Sequence, residues 1–203
     1  MAVIAIHHDF ATGGREAGRL LAGKLGYEYV DKSLFQKIAE DLNVSEGTLK
    51  SFENSREYKI SNLFSKLYSK SYVQRIVGRD KGVVEEREYQ NSLKNLILGI
   101  AHDDNVVIMG RAAHYFLKDM ENCYRFRFIA PLDWRKQYAM EKLNISADGA
   151  EATIERRDTS QLWFNRSVCG EGFDDSYVFH LTLNMGFLTV EKAVNLIAQV
   201  VEA

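Results

Sequence analysis

Proline is nearly absent from this chain. Pro131 is the only one in 203 residues, so no Pro-rich linker separates domains, and there is no repeat or low-complexity spacer either. Cysteine is also scarce: Cys123 and Cys169 have neither metal-ligand spacing nor the density of a disulfide scaffold, which suits a reducing compartment. Both read as ordinary thiols, one in or near a strand and one in a loop. No apolar stretch approaches the about 18 residues that a bilayer span needs, and the start MAVIAIHHD lacks the basic region and long apolar segment of a secretory signal. These absences predict a soluble, cytoplasmic protein with no membrane partner. The formal charge of -2 gives no global pull toward nucleic acid, so anion binding must come from local Arg and Lys clusters, which lie late in the chain. What the chain does have is 46% hydrophobic content, enough for one sizeable core with room for a helical subdomain.

The most informative stretch is VIAIHHDFATGGREAGR, residues 3–19. Val3, Ile4, Ala5 and Ile6 are short and mostly β-branched, as a central parallel strand requires. Gly13 and Gly14 then let the backbone approach an anion without an intervening side chain. A helix opening near Arg15 would aim its unpaired N–H groups and the positive end of its dipole at that turn. The expected occupant is a phosphate. The pattern GxxxxGK[ST] asks for a lysine after its second glycine, whereas here Gly13 is followed by Gly14 and Arg15.

Periodicity organises the rest. Ala17, Leu20, Leu21 and Leu25 predict a helix over 14–25 that Gly26 closes. A short strand follows at Tyr27 to Asp31, then a helix over Lys32 to Leu42. Residues 45–103 contain no convincing strand and read as mostly helical, with Leu93, Leu96, Ile97 and Ile100 as one stripe. Strands return at Asn105 to Met109 and Tyr124 to Ala130, with a short helix between them in GRAAHYFLKDM. Pro131 marks entry to the helix DWRKQYAMEKL, a charged helix spans about Asp148 to Arg166, the last strand is expected over Tyr177 to Leu183, and Thr189 to Val201 closes the chain as a helix. Strands alternating with helices imply an α/β fold with a mainly parallel sheet covered on both faces.

The order of these motifs resembles the cytidylate kinase-like family of P-loop nucleoside monophosphate kinases over nearly the whole chain. IAIHHDFATGGREAGRLLAGKLGYEYVDKSLF is similar to that family's first strand, GGRE-type loop, helix and Asp-ended second strand. NVVIMGRAAHYFL is similar to its Gly-Arg element, FIAPLDWRKQYAM to the strand and helix that bear a substrate-contacting Arg, IERRDTSQLWFNR to its Arg-rich lid, and LTLNMGFLTVEKAVNLI to its closing strand, turn and helix. The resemblance implies a three-layer P-loop kinase fold as one domain over 1–203, with a helical insertion at about 45–103 and a lid at about 148–172. It also implies ATP as phosphoryl donor, Mg²⁺ as cofactor, and CMP or dCMP as acceptor. Against ordinary cytidylate kinases, His8 falls at the first glycine of the loop, Gly14 at the lysine and Glu16 at the threonine, and Ala11 stands where such loops usually carry another glycine. Ala112 replaces an Asp that often follows Gly-Arg, and Ser160 falls where the lid offers a further Arg.

Phosphoryl transfer asks for in-line positioning and for neutralisation of charge on the phosphate oxygens, tasks suited to arginine. Thr12, Gly13 and Gly14 would supply backbone donors to the ATP phosphates, and Arg15 the missing cation. Glu16 either holds Mg²⁺, directly or through water, or caps the helix. By resemblance Asp31, Ser33, Arg111, Arg135 and Arg156 belong to the acceptor side, and Arg157 and Arg166 to catalysis from the lid. Their bland readings are helix caps and solvated helix faces. On one straight helix Arg156, Arg157 and Arg166 cannot converge, so a break or a closure is expected if all three act together. His7 and His8 either touch phosphate or are structural, while His102, His114 and His180 form no metal motif. Trp134 and Trp163 read as packing residues. The segment with Phe52, Leu63, Phe64, Leu67, Tyr68 and Tyr72 either covers the acceptor or builds a homodimer contact. Two other functions compete: a nucleotide-binding sensor or partner-binding protein that has lost turnover, and a kinase of another small-molecule acceptor.

Overall fold

The computed structural model describes residues 2–31 and 86–202. The expected helix over 32–42, with Ser33, and the part of the expected helical stretch that precedes residue 86 lie outside them. The chain divides into two compact units, residues 1–29 with 105–203, and residues 30–104.

The first strand, β1 (Val3–His8), is central. It runs parallel to β3 (Val106–Met109) on one side and to β4 (Cys123–Ile129) on the other, β5 (Leu181–Asn184) runs parallel to β4, and β2 (Glu28–Val30) forms the edge beyond β3. The order β2-β3-β1-β4-β5 gathers the loops after β1, β3 and β4 at one end of the sheet, where open parallel sheets bind ligands. In register, Ile6 lies opposite Phe126 and His7 opposite Arg127. Because successive side chains alternate between faces, one face carries Ile4, Ile6, Val107, Met109, Phe126 and Phe128. That face packs on the buried stripes of α1 (Gly14–Leu25) and the last helix, α6 (Val190–Glu202), in a single core. The other face carries His7 and Arg127.

The expected helices in the first unit are present. α1 ends at Gly26, whose left-handed φ of 67° and N–H bond to the Ala22 carbonyl close it. The short α3 (Ala113–Phe116) follows β3, α4 (Leu132–Leu143) starts after Pro131, and α5 (Ala147–Cys169) is a continuous 23-residue helix capped by the Ser146 side chain on the Gly149 N–H. The second unit contributes α2 (Glu86–Ala101), in which Leu93, Leu96, Ile97 and Ile100 are buried as the stripe requires.

Three expectations need correction. The strand read at Tyr177 to Leu183 is shorter, because Asp175 caps a 3-10 turn over Ser176–Val178 and the ladder starts only at Leu181; Tyr177 is 92% exposed. Cys169 ends α5 rather than lying in a loop, and burial pushes its thiol up to about 12, as burial pushes that of Cys123 to about 11. Trp134 does pack against the core, but Trp163 is 71% exposed. Among the described residues no helix is long and apolar enough to cross a membrane.

Candidate active site

The turn between β1 and α1 builds the site. Asp9 extends the β1 ladder with its N–H on the Phe128 carbonyl, and the buried Thr12 folds back to donate its hydroxyl to the Asp9 carbonyl at 2.8 Å. Ala11 and Gly13 are left-handed, with φ of 61° and 74°, whereas Thr12 between them and Gly14 after them are not. Such alternation curls successive N–H groups toward one point, making a concave anion receptor. Among the described residues, the N–H groups of residues 11–16 donate to no backbone carbonyl, and the first backbone bond of α1 runs from Ala17 to Gly13. Gly13 caps α1 without a side chain. A Cβ there would stand 3.3 Å from Val190 Cγ2 and 3.5 Å from the Tyr138 ring and hydroxyl, so the turn is walled by α6 and α4.

Ala11 explains one departure from the glycine-rich pattern. Its left-handed backbone costs an alanine roughly 1 kcal/mol, but its methyl is buried against Ala139 of α4 and Ala150 of α5, which returns about 0.8 kcal/mol. The two effects nearly cancel, so alanine is tolerated.

Arg15 and Glu16 lie exposed on the first turn of α1. Tyr138 donates its hydroxyl to Glu16 Oε2 at 3.2 Å, and burial together with the Glu16 charge pushes the phenol up to about 12, so it remains the donor. Arg135 is buried, at 8% exposure. It donates Nη1 and Nη2 to the two oxygens of Asp158 at 3.0 and 2.8 Å, and Nη1 also to the Phe10 carbonyl at 3.2 Å. Among the described residues its Nε has no partner. Asp9 lies among these charges. Burial raises its carboxyl above the ordinary value, Arg127 and Arg135 pull it down, and Asp158 and Asp174 push it up.

One face of α5 rests on the turn. Arg157 lies over the Phe10 ring at 5.7 Å, Gln161 donates to the His8 carbonyl at 2.9 Å, and Phe164, one turn further along, underlies the Arg111 guanidinium at 5.7 Å. Arg111 itself follows Gly110 in a run of three left-handed residues, Gly110, Arg111 and Ala112, pinned where the Gly110 N–H meets the Ile6 carbonyl. Arg156 projects from an exposed position of α5, and Arg166, nine residues after Arg157 and roughly 13 Å along the axis, pairs with Glu171 at 3.8 Å. The structure thus brings Arg15, Glu16, Arg135, Arg157 and the loop backbone to one place, links Arg111 to the same helix, and leaves Arg156 and Arg166 apart. Asp31 follows β2, is buried, and belongs to the second unit.

Sequence reasoning missed Asp9, Tyr138 and Gln161. Asp9 carried a signal, since it directly follows a buried strand; Tyr138 and Gln161 were legible only as helix-face residues. Also missed is the packing behind the turn, where His7 and His114 meet with ring centroids 4.7 Å apart and Phe179 stacks on His114 at 5.0 Å. His114 Nε2 donates to the Phe173 carbonyl at 3.0 Å, which makes Nδ1 the unprotonated nitrogen. Burial pushes His114 down to about 4 and His7 well below its ordinary value, and both are neutral. Among the described residues no three His, Cys, Asp or Glu side chains converge as a metal-binding group.

A parallel sheet in the order found here, with an N–H-lined turn between its central strand and the following helix, defines a P-loop kinase fold. The chain matches the cytidylate kinase-like family over residues 3–186 and belongs to it. Among solved structures it is similar to an uncharacterized protein from Eubacterium ventriosum, at 18% identity and a TM-score of 0.67 over 99% of this chain and 98% of that one. It is also similar to shikimate kinase from Bacteroides thetaiotaomicron (14% identity, TM-score 0.54, 100% and 99% covered) and to shikimate kinase from Acinetobacter baumannii in complex with shikimate (15%, 0.51, 100% and 93%). These likenesses establish the shared fold. No curated protein matches the chain by sequence.

Proposed function

We propose that this protein is an ATP-dependent phosphotransferase that moves the γ-phosphoryl group to a nucleoside monophosphate, with CMP or dCMP as the acceptor. The observation that carries the reading is the turn at 11–16, whose N–H groups have no backbone acceptor among the described residues and whose alternating conformations suit a polyphosphate, in a chain of the cytidylate kinase-like family. In this reading Thr12, Gly13 and Gly14 donate backbone N–H groups to the donor phosphates and Arg15 adds positive charge from the first turn of α1. Glu16, steadied by Tyr138, is the hard oxygen ligand that would hold Mg²⁺ with the phosphate oxygens, where the ion would neutralise their charge. Arg157 approaches from α5 and Arg166 joins on movement of that helix or its end. Arg111 receives the acceptor phosphate, with Arg156 joining it on the same movement of α5, Asp31 and Ser33 are assigned to the acceptor nucleoside by the family resemblance, and Arg135, paired with Asp158, is assigned to the acceptor side. An acceptor phosphate oxygen attacks the γ-phosphorus, the bond to the β,γ-bridging oxygen breaks, and ADP leaves with that electron pair.

A second reading, a nucleotide-binding sensor with little turnover, is favoured by one observation: position 14 has no lysine. Incubating the purified protein with ATP, Mg²⁺ and a panel of CMP, dCMP, other nucleoside monophosphates and shikimate, and separating the products, decides among the readings. A diphosphate from CMP or dCMP is expected. Phosphorylation of shikimate alone would move the reading to a non-nucleotide acceptor, and ATP binding without any product would favour the sensor.

A further inference from the structure

In the P-loop pattern the first position is glycine and the seventh is lysine; this chain has His8 and Gly14 there. The two departures meet in space. A Cβ on Gly14 would stand 2.7 Å from His8 Cβ, 2.8 Å from Cγ and 3.3 Å from Cδ2, too close for any residue other than glycine while His8 is in place. Gly14 is not left-handed, so its backbone does not call for glycine; the histidine side chain does. Conversely, the imidazole begins where the stem of a side chain at position 14 would begin. Its Nδ1 donates to the Asp9 carbonyl at 3.0 Å. Nε2 is bonded to Cδ2, the carbon of the ring edge that lies against the head of α1.

We propose that His8 and Gly14 are a reciprocal exchange for the glycine and lysine of the P-loop, in which the His8 imidazolium keeps Nδ1–H on the Asp9 carbonyl and donates Nε2–H to the terminal phosphates of the donor from the side where the lysine would stand. Arg15 then acts as a second cation rather than the sole replacement. The inference rests on the nucleotide reading of the turn. Its test is a cycle of four proteins, parent, His8→Gly, Gly14→Lys and the double variant, each measured for thermal unfolding and for binding of ATP with Mg²⁺ by calorimetry. A charge-assisted hydrogen bond predicts that His8→Gly weakens ATP binding by about tenfold to a hundredfold, with His8→Ala giving the same loss if the glycine loosens β1. Gly14→Lys alone should unfold at a lower temperature because of the clash, and the double variant should recover both the unfolding temperature and the affinity. ATP binding unchanged in folded His8→Gly and His8→Ala would overturn the contact, and a Gly14→Lys variant as stable as the parent would overturn the exclusion. A parent that binds no ATP would instead remove the nucleotide reading, and this proposal with it.

Discussion

Two glycines of α1 make opposite demands. At Gly14 a methyl would collide with His8, whereas at Gly23 it would meet nothing within 4 Å. Gly14→Ala should therefore cost about 1–3 kcal/mol through overpacking, while Gly23→Ala should stabilise by about 0.5–1 kcal/mol through helix propensity; urea denaturation of the two variants checks the signs. The buried histidines give a pH dependence. Because burial holds His114 near 4 in the folded state against 6.5 in its absence, the unfolded chain binds the proton first as pH falls. Stability from this residue is complete above about pH 6.5 and declines as pH drops toward 4, by up to about 1.4 kcal/mol per unit. His7 adds in the same direction. In His114→Gln, which cannot take up that proton, the urea midpoint should fall less steeply over this window; an unchanged slope would show that His114 is not the source. The glycine pair and Arg15 were legible in the sequence because a loop motif is local. The meeting of His7 with His114, and of His8 with Gly14, was not, since it depends on how strand, turn and helix pack.

At the scale of elements, an apolar run located β1, alternation located β4 and helical spacing located α1 and α6, whose buried stripes share one core with β1, β3 and β4, while Pro131 marked the entry to α4. The strand expected from Tyr177 failed for a physical reason. Val178 and Phe179 have strand-like side chains, yet Phe179 is spent on covering His114, and Asp175 turns the backbone before the ladder begins. The link between α4 and α5 was equally invisible, because Arg135 and Asp158 each read as a member of its own helix. Their bidentate pair ties both helices to the Phe10 carbonyl. Asp158→Asn leaves a buried guanidinium short of its carboxylate, so a loss of about 1–3 kcal/mol is expected. Arg135→Lys should also lose stability, since an ammonium cannot make the two-pronged contact. If the pair acts as a unit, the double variant Arg135→Met with Asp158→Leu should lose less than the sum of its single changes, as a double-mutant cycle by urea denaturation would read. Additive losses would mean that the ion pair does not couple the helices.

For the whole molecule, a charge of -2 offers no long-range attraction for a nucleotide, so any affinity must come from the turn and the few arginines around it. Anything that binds only the folded chain raises its unfolding temperature by mass action. At a hundredfold excess over the dissociation constant, a non-hydrolysable ATP analogue with Mg²⁺ should add about 2.7 kcal/mol, which for a chain of this size corresponds to roughly 5–10 °C. Because Arg15 and Arg157 are exposed, that shift should shrink as salt is raised and screens them. If the proposed reaction holds, CMP should give its own shift, and the two ligands together should exceed either alone, because donor and acceptor would then occupy different parts of one site. A shift from the analogue with none from any acceptor would fit the sensor reading. No shift from the analogue at low salt would mean that the turn after β1, despite its shape, does not receive a triphosphate.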